Sequence, residues 1–380
     1  MRWALLVLLS ASSAQALPRF AARKGLPCQA CHVDPSGGGM RNDFGAHVFA
    51  NTELPLAGRG TPSRAPDTPA GLGADLRVLY EYLRRTDADQ PKLDSFYLME
   101  ASLYASAEPW PGMTVYLAPT FHGSESVFFE AAVVVRPAQA WLLRDSPMES
   151  LYVKGGRFVP VYGLKLANHT AFVRKQLGFG VASRVTGVEV GFSPGPFEIQ
   201  ASVFNGTGER DWDENAGKGV SGRASYRLRT RPVKAEVGVS GYLNTDGLPA
   251  DEDPGGNDTR REDLRVGGFA SLTVGRFTWI GEADISQIDD RRELAEVRRL
   301  ATFQELAILA VRGLDLLVSY ELWDDDTEKT GNAVHRVGGG VDLYTWPGTE
   351  ISVRYRQTLG EERHPMARIR EVVAVGHWFF

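Results

Sequence analysis

From about residue 75 to the C-terminus the chain repeats one pattern, segments of about ten residues in which apolar and polar side chains alternate, broken by turn residues. Val220, Gly222, Ala224, Tyr226 and Leu228 fall on one face of such a segment, and Ser221, Arg223, Ser225 and Arg227 on the other. Phe277, Trp279, Gly281, Ala283 and Ile285 likewise oppose Thr278, Glu282, Asp284 and Ser286, and Ile351, Val353 and Tyr355 oppose Ser352, Arg354 and Arg356. A period of two belongs to strands with two unlike faces, so the chain is mainly β. Counting these segments, from 75–86 to 369–380, gives about sixteen strands.

Short connections such as 193–195, 231–232, 275–276 and 346–348 alternate with long polar ones. A transmembrane antiparallel β-barrel has this layout: short periplasmic turns, long outer loops, and an even strand count that brings both termini to the periplasm. Residues 137–148 fall where a short turn is expected, and fit either a register change or a small periplasmic helix. A soluble sandwich or barrel in the periplasm would also alternate. Two features favour the membrane. The last strand closes on Phe380, which resembles the assembly signal of bacterial outer-membrane proteins, and Trp110, Trp279, Trp323, Trp346 and Trp378 recur at strand ends, where an aromatic girdle falls. Bulk composition is neutral on the point, because a net charge of -5 with 43% hydrophobic residues suits a soluble protein and a barrel alike. The mild acidity offers no basic patch for nucleic acid.

Ahead of the strands, Arg2, the apolar run from Trp3 to Leu9 and the ending Ala14-Gln15-Ala16 read as a secretory signal over residues 1–16. The run is well short of the ~20 residues needed to cross hydrocarbon as a helix. Residues 17–60 then form a small segment and residues 61–74, rich in proline and glycine, a linker, which leaves 75–380 for the barrel.

The small segment holds both cysteines of the chain, in Cys28-Gln29-Ala30-Cys31-His32. Cys-x-x-Cys-His is the attachment pattern of a c-type haem. Two thiols at this spacing reach the two vinyl groups on one porphyrin edge, and the adjacent imidazole reaches the iron as proximal axial ligand. Three plainer uses compete. A redox dithiol belongs in a βαβ pattern that is absent, a tetrahedral zinc site needs ligands that no other cysteine supplies, and a disulfide here closes too small a loop to stabilise much. A segment this short cannot bury a core by itself, so one haem c is expected to supply its apolar centre, with Phe20, Phe44, Val48 and Phe49 packed on it or on the barrel wall. The distal ligand is open between His47, Met40, a barrel residue such as His122 or His169, and none; methionine would raise the potential relative to a second histidine.

Arg77, Glu81, Arg223, Arg227, Arg229, Lys234, Glu236, Glu282, Asp284, Arg354 and Arg356 fall on the polar faces of their strands. Charges are costly in hydrocarbon, so these are expected to line the lumen and to suit it to hold the N-terminal segment as a plug. Acidic runs at 209–215, 246–263 and 324–326 would attract cations by their summed field, and Asp251, Glu252, Asp253, Asn257 and Asp258 are a candidate for a hard cation without a specific motif.

In layout, and in Leu17-Pro18-Arg19-Phe20-Ala21-Ala22-Arg23-Lys24-Gly25 leading into Cys28-Gln29-Ala30-Cys31-His32 with Phe44-Gly45 and Phe49 beyond, the chain resembles the fused monohaem cytochrome-porins of outer membranes, best known as bacterial iron oxidases. The resemblance implies an outer-membrane protein with a haem in or at the barrel, passing electrons between an extracellular donor such as Fe(II) and a soluble periplasmic cytochrome. It carries over only Cys28, Cys31 and His32. The run Gly37-Gly38-Gly39 departs from the iron-oxidase pattern, and residues 156–163 look like a segment common in substrate-selective porins and in barrels that sheath haem conduits. Two functions follow: electron transfer across the outer membrane, with or without Fe(II)-oxidising activity, or a porin whose haem segment is a plug, gate or sensor.

Overall fold

The alternating segments form strands that close on themselves. In the computed structural model these are β1 (Ala70–Arg85), β2 (Leu93–Trp110), β3 (Met113–His122), β4 (Ser126–Val135), β5 (Tyr152–Phe158), β6 (Val185–Phe192), β7 (Phe197–Asn205) and β8 (Lys218–Arg229). They continue as β9 (Val233–Asp246), β10 (Arg261–Val274), β11 (Phe277–Asp290), β12 (Ala295–Val311), β13 (Leu314–Asp324), β14 (Val334–Leu343), β15 (Thr349–Gly360) and β16 (Ile369–Phe379). Each strand pairs antiparallel with its sequence neighbours, and β1 pairs with β16 to close the barrel. The structure describes residues 18–57, 70–87, 92–122, 126–140, 147–168, 170–179, 183–206, 217–246, 261–290, 295–361 and 364–380. The signal segment, most of the linker, His169 and the acidic stretch 247–260 lie outside them, as does the His122 side chain.

Closure puts the two faces of every strand in different surroundings. Val220, Tyr226, Leu228, Val239, Ile285 and Ile351 point outward and are exposed, whereas Ser225, Arg227, Glu282, Asp284 and Arg356 point inward and are buried. The barrel is therefore apolar outside and charged inside, the reverse of a soluble protein. Trp110, Trp346 and Trp378 sit on the outer face, in keeping with a girdle. Trp323 does not: it turns inward and packs among Phe172, Val334 and Ala367, because its position on β13 shares the parity of the lumen residues Asp315 and Glu321.

The first strand begins earlier than its sequence suggests. Residues 70–74, read as the end of the linker, belong to β1. Their glycines serve the lumen: a Cβ at Gly71 would lie 2.9 Å from Cε of Met40, and one at Gly73 would crowd Tyr104 and the Phe380 carbonyl. Where 137–148 broke the alternation, a short helix spans Pro137–Ala140 and a helical turn Pro147–Ser150.

The lumen is filled from both ends. Between β5 and β6 the chain folds inward, burying Val161, Tyr162, Ala171, Phe172 and Val173. Lumen carboxylates hold its backbone: Leu164 N–H donates to Glu282 at 2.8 Å and Phe172 N–H to Glu321 at 2.8 Å, while the Tyr162 hydroxyl donates to Asp284 at 2.9 Å. At Gly163, φ is +47° and a Cβ would fall within 1.7 Å of the Glu282 carboxylate, so only glycine permits this turn. Residues 18–57 fill the end with the short turns.

Candidate cofactor pocket in the plugged lumen

The N-terminal segment opens with the helix Pro18–Lys24, which presents two arginines to the wall. Arg19 is fully buried, with its guanidinium on Asp342 and 3.1 Å from Glu305, and it donates to the Tyr344 hydroxyl at 3.2 Å. Arg23 pairs with Asp315 at 2.7 Å. On the opposite side of the ring, Lys154 of β5 is buried between Asp34 of the segment (3.0 Å) and Glu189 of β6 (2.9 Å), and also donates to Ser36 at 2.8 Å. Tyr116 donates to the same Asp34 at 3.3 Å. Burial alone would raise the Asp34 carboxyl, but Lys154 and Lys165 hold it well below the usual carboxylate range. Thus two ionic clamps, on β12–β14 and on β5–β6, fix the segment across the lumen.

Between the clamps the chain makes a hairpin-like return. Gly37, Gly38 and Gly39 all have positive φ, at 89°, 89° and 59°. They carry the chain back so that Val33 N–H donates to Met40 O at 3.0 Å and His32 pairs with Arg41 across a β-bridge. A Cβ at Gly37 would lie 2.8 Å from Cβ of Cys28, so the glycine run lies directly against the first cysteine. The helix Phe44–Glu53 follows, and Leu56 N–H donates to Tyr344 O at 2.7 Å where the segment leaves the barrel.

This return gathers Cys28, Cys31 and His32 around one cavity of about 50 Å³, with Phe20, Phe49, Leu54, Tyr344, Arg41 and Glu350 in its wall. Glu350 also borders a second lumen cavity of about 740 Å³, which Arg19, Arg77, Met99, Phe179, Arg356 and His377 help to line. The donor set fits a c-type haem. Both thiols are free, and desolvation, more than the nearby Glu198 carboxylate, pushes Cys28 up to about 11. Desolvation likewise raises Cys31. Such thiols are poor attacking nucleophiles, which argues against a redox dithiol. His32 is buried with Nδ1 lacking a hydrogen-bond partner, and burial, aided by Arg41, lowers the imidazole to about 4. It is therefore neutral at pH 7, the form that ligates a metal. The Phe20 ring lies 5.7 Å from that of Phe49, tilted to it, and 5.6 Å edge-on from that of Tyr344, an apolar wall beside the thiols. A porphyrin extends beyond 50 Å³, and the space across Glu350 is the larger cavity.

The distal-ligand candidates lie apart from this pocket. Met40 packs with Tyr104, Ala118 and Val33 against the wall, and His47 is half-buried on the helix Phe44–Glu53. Neither lines the cavity that holds His32. Of the aromatic candidates, Phe20 and Phe49 line it and Phe44 is exposed. Among the described residues no group of three or more His, Cys, Asp and Glu side chains converges as a metal site, and no helix is long and apolar enough to cross a membrane.

Of the charged lumen residues named from sequence, Arg223 pairs with Glu236 at 3.1 Å, while Arg354 and Arg356 pair with carboxylates not named there, Asp342 at 2.6 Å and Glu371 at 2.8 Å. Sequence reasoning missed Arg19, Asp34, Arg41 and Lys154. Lys154 carried a signal, a cation on β5 at the same parity as Tyr152 and Phe158, both of which are buried in the lumen.

No protein-family model and no curated protein sequence matches the chain. Solved structures do. An anion-selective porin from Comamonas acidovorans aligns with a TM-score of 0.58 at 12% identity, over 82% of this chain and 100% of that one. OprB of Pseudomonas putida gives 0.59 at 11% identity, over 88% and 100%, and a loop-deletion mutant of OmpT, an outer membrane protein of Vibrio cholerae, gives 0.57 at 11%, over 82% and 100%. At these identities the likeness establishes the fold: a closed sixteen-stranded barrel of the porin kind.

Proposed function

We propose that this chain is an outer-membrane barrel of porin type whose lumen is plugged by its own N-terminal segment, and that the plug carries one c-type haem on Cys28 and Cys31 with His32 on the iron. The observation that carries the plug is its double clamp, Arg19 on Asp342 and Lys154 on Asp34, at opposite sides of the ring. The apolar exterior supports the membrane, since lipid-facing strand positions of an outer-membrane barrel are apolar and lumen positions polar. Arginine introduced at Val239, exposed in the middle of β9, is expected to cost about 2–4 kcal/mol at the bilayer midplane. Urea unfolding in lipid vesicles measures it, and an unchanged midpoint counts against hydrocarbon around the barrel.

The pocket favours a second reading, electron transfer of the kind the cytochrome-porin resemblance implies, with an outside donor such as Fe(II) and a soluble periplasmic cytochrome as partner. The haem would supply a one-electron couple. Cys28 and Cys31 would anchor its vinyl edge, His32 would hold the iron, and Phe20, Phe49 and Tyr344 would exclude water from it. Purified protein in sealed vesicles tests both readings. Haem reduction by Fe²⁺ added outside, with low conductance, supports the conduit. Steady conductance that ignores haem redox state supports a porin, and haem that no outside donor reduces rules out the conduit.

A further inference from the structure

Arg41 follows the glycine run and is set opposite His32 by the β-bridge between them. The residue is 9% exposed, with its guanidinium carbon 4.4 Å from the centre of the Phe379 ring, and it lines the cavity of Cys28, Cys31 and His32. Both terminal guanidinium nitrogens are buried without a hydrogen-bond partner. Two other buried lumen arginines are matched by contrast: Arg336 meets Glu321 at 2.6 Å and Arg356 meets Glu371 at 2.8 Å. The carboxylates nearest the pocket are already engaged. Asp75 and Glu350 grip the two ring nitrogens of His377 at 2.6 and 2.7 Å, and Glu350 also accepts from Tyr344 at 2.9 Å. Burial disfavours the Arg41 charge and the field of Asp75 offsets part of that, but no carboxylate bonds to the guanidinium, so both its terminal nitrogens are left to be met by an anion.

We infer that Arg41 binds a propionate carboxylate of the porphyrin and so fixes which way the haem faces in its pocket, an assignment that rests on the haem reading above. Thioethers at Cys28 and Cys31 would hold the vinyl edge and His32 the iron, which leaves the propionates as the anionic part of the cofactor still to be matched. The guanidinium fork suits a carboxylate in two parallel hydrogen bonds, and its planar face suits Phe379. The return at Gly37–Gly39 acquires a purpose: it brings Arg41 back beside His32.

The test uses full-length protein matured with covalent haem, as wild type, R41Q and R41K. A haem-stained denaturing gel reports attachment, spectroelectrochemical titration the midpoint potential, and resonance Raman the propionate bending vibration. R41Q is expected to keep its covalent haem, to shift the propionate vibration, and to favour the ferric form about tenfold, a fall of about 59 mV for a one-electron couple. R41K, which keeps the charge but not the fork, is expected to fall between. Should R41Q not assemble, R41K decides, because an unchanged vibration in it overturns the assignment. Haem-loaded R41Q with potential and vibration both unchanged overturns the propionate role, including the case where Arg41 serves only a small free anion. Wild-type protein that carries no covalent haem overturns the haem reading, and this assignment with it.

Discussion

Lys154→Met is expected to loosen the plug by about 3–5 kcal/mol, the usual cost of removing one partner from a buried ion pair. At about 1.4 kcal/mol per factor of ten, the undocked population rises roughly 10²-fold to several thousandfold. The size follows from what is left behind: Asp34 and Glu189, which now share one ammonium at 3.0 and 2.9 Å, would face each other buried and without it. Lys165 also acts on Asp34 through its field, but its ammonium bonds to Ser36 and the Gly37 carbonyl, each at 3.0 Å, and so gives neither carboxylate a direct ion pair. In planar bilayers the variant should show opening events rare or absent in wild type, and residues 18–57 should become open to protease from the side of the short turns. The triple variant Lys154→Met, Asp34→Asn, Glu189→Gln removes the whole charge cluster and should recover most of the docking, because replacing all members of a buried ionic group is often close to neutral. A single variant that neither conducts nor is cleaved more than wild type would remove the clamp, and with it the plug, from the account.

The barrel was legible because a membrane imposes a rule on every strand. Lipid requires one apolar face and the lumen tolerates a polar one, so period-two alternation survives over sixteen strands with little interference from tertiary contacts. The rule failed where a strand serves a second purpose. Gly71 and Gly73 read as linker because they lack side chains, yet they lack them to admit Met40 and Tyr104. Trp323 read as girdle because tryptophan usually marks an interface, but the inward loop gave it an apolar lumen to fill. The pocket was half legible. A five-residue pattern specifies covalent chemistry locally, so Cys28, Cys31 and His32 stand out in the sequence alone. Arg19, Arg41 and Lys154 act through partners about 120 to 320 residues away or through a ring contact, as Arg41 does with Phe379, and no local pattern encodes that.

Replacing Cys28 and Cys31 together by alanine is expected to abolish covalent haem while leaving the barrel assembled, the largest effect of any change to this chain. Each thiol that adds to a vinyl group makes one thioether, so either single variant retains at most one link and should bind less haem, and the double variant should lose all of it on a denaturing gel. The barrel is expected to survive because strand pairing does not involve the segment: β1 closes on β16 directly, and the segment's clamps are side-chain contacts with a finished wall. Heat-modifiable migration reports that closure independently of haem. His32→Ala separates attachment from ligation, since both thiols remain; it should keep covalent haem but change the absorption spectrum through loss of the axial imidazole. The combination discriminates among the uses of a Cys-x-x-Cys pair. Structural thiols predict no haem in wild type and a weakened segment in the double variant. A redox dithiol would need thiols more acidic than ordinary, whereas desolvation here moves both the other way. Haem attachment predicts a band on the gel that either single cysteine variant weakens, the double variant loses and the loss of His32 spares, and wild-type protein matured alongside a working c-type cytochrome but lacking that band would end the haem reading while leaving the plugged barrel intact.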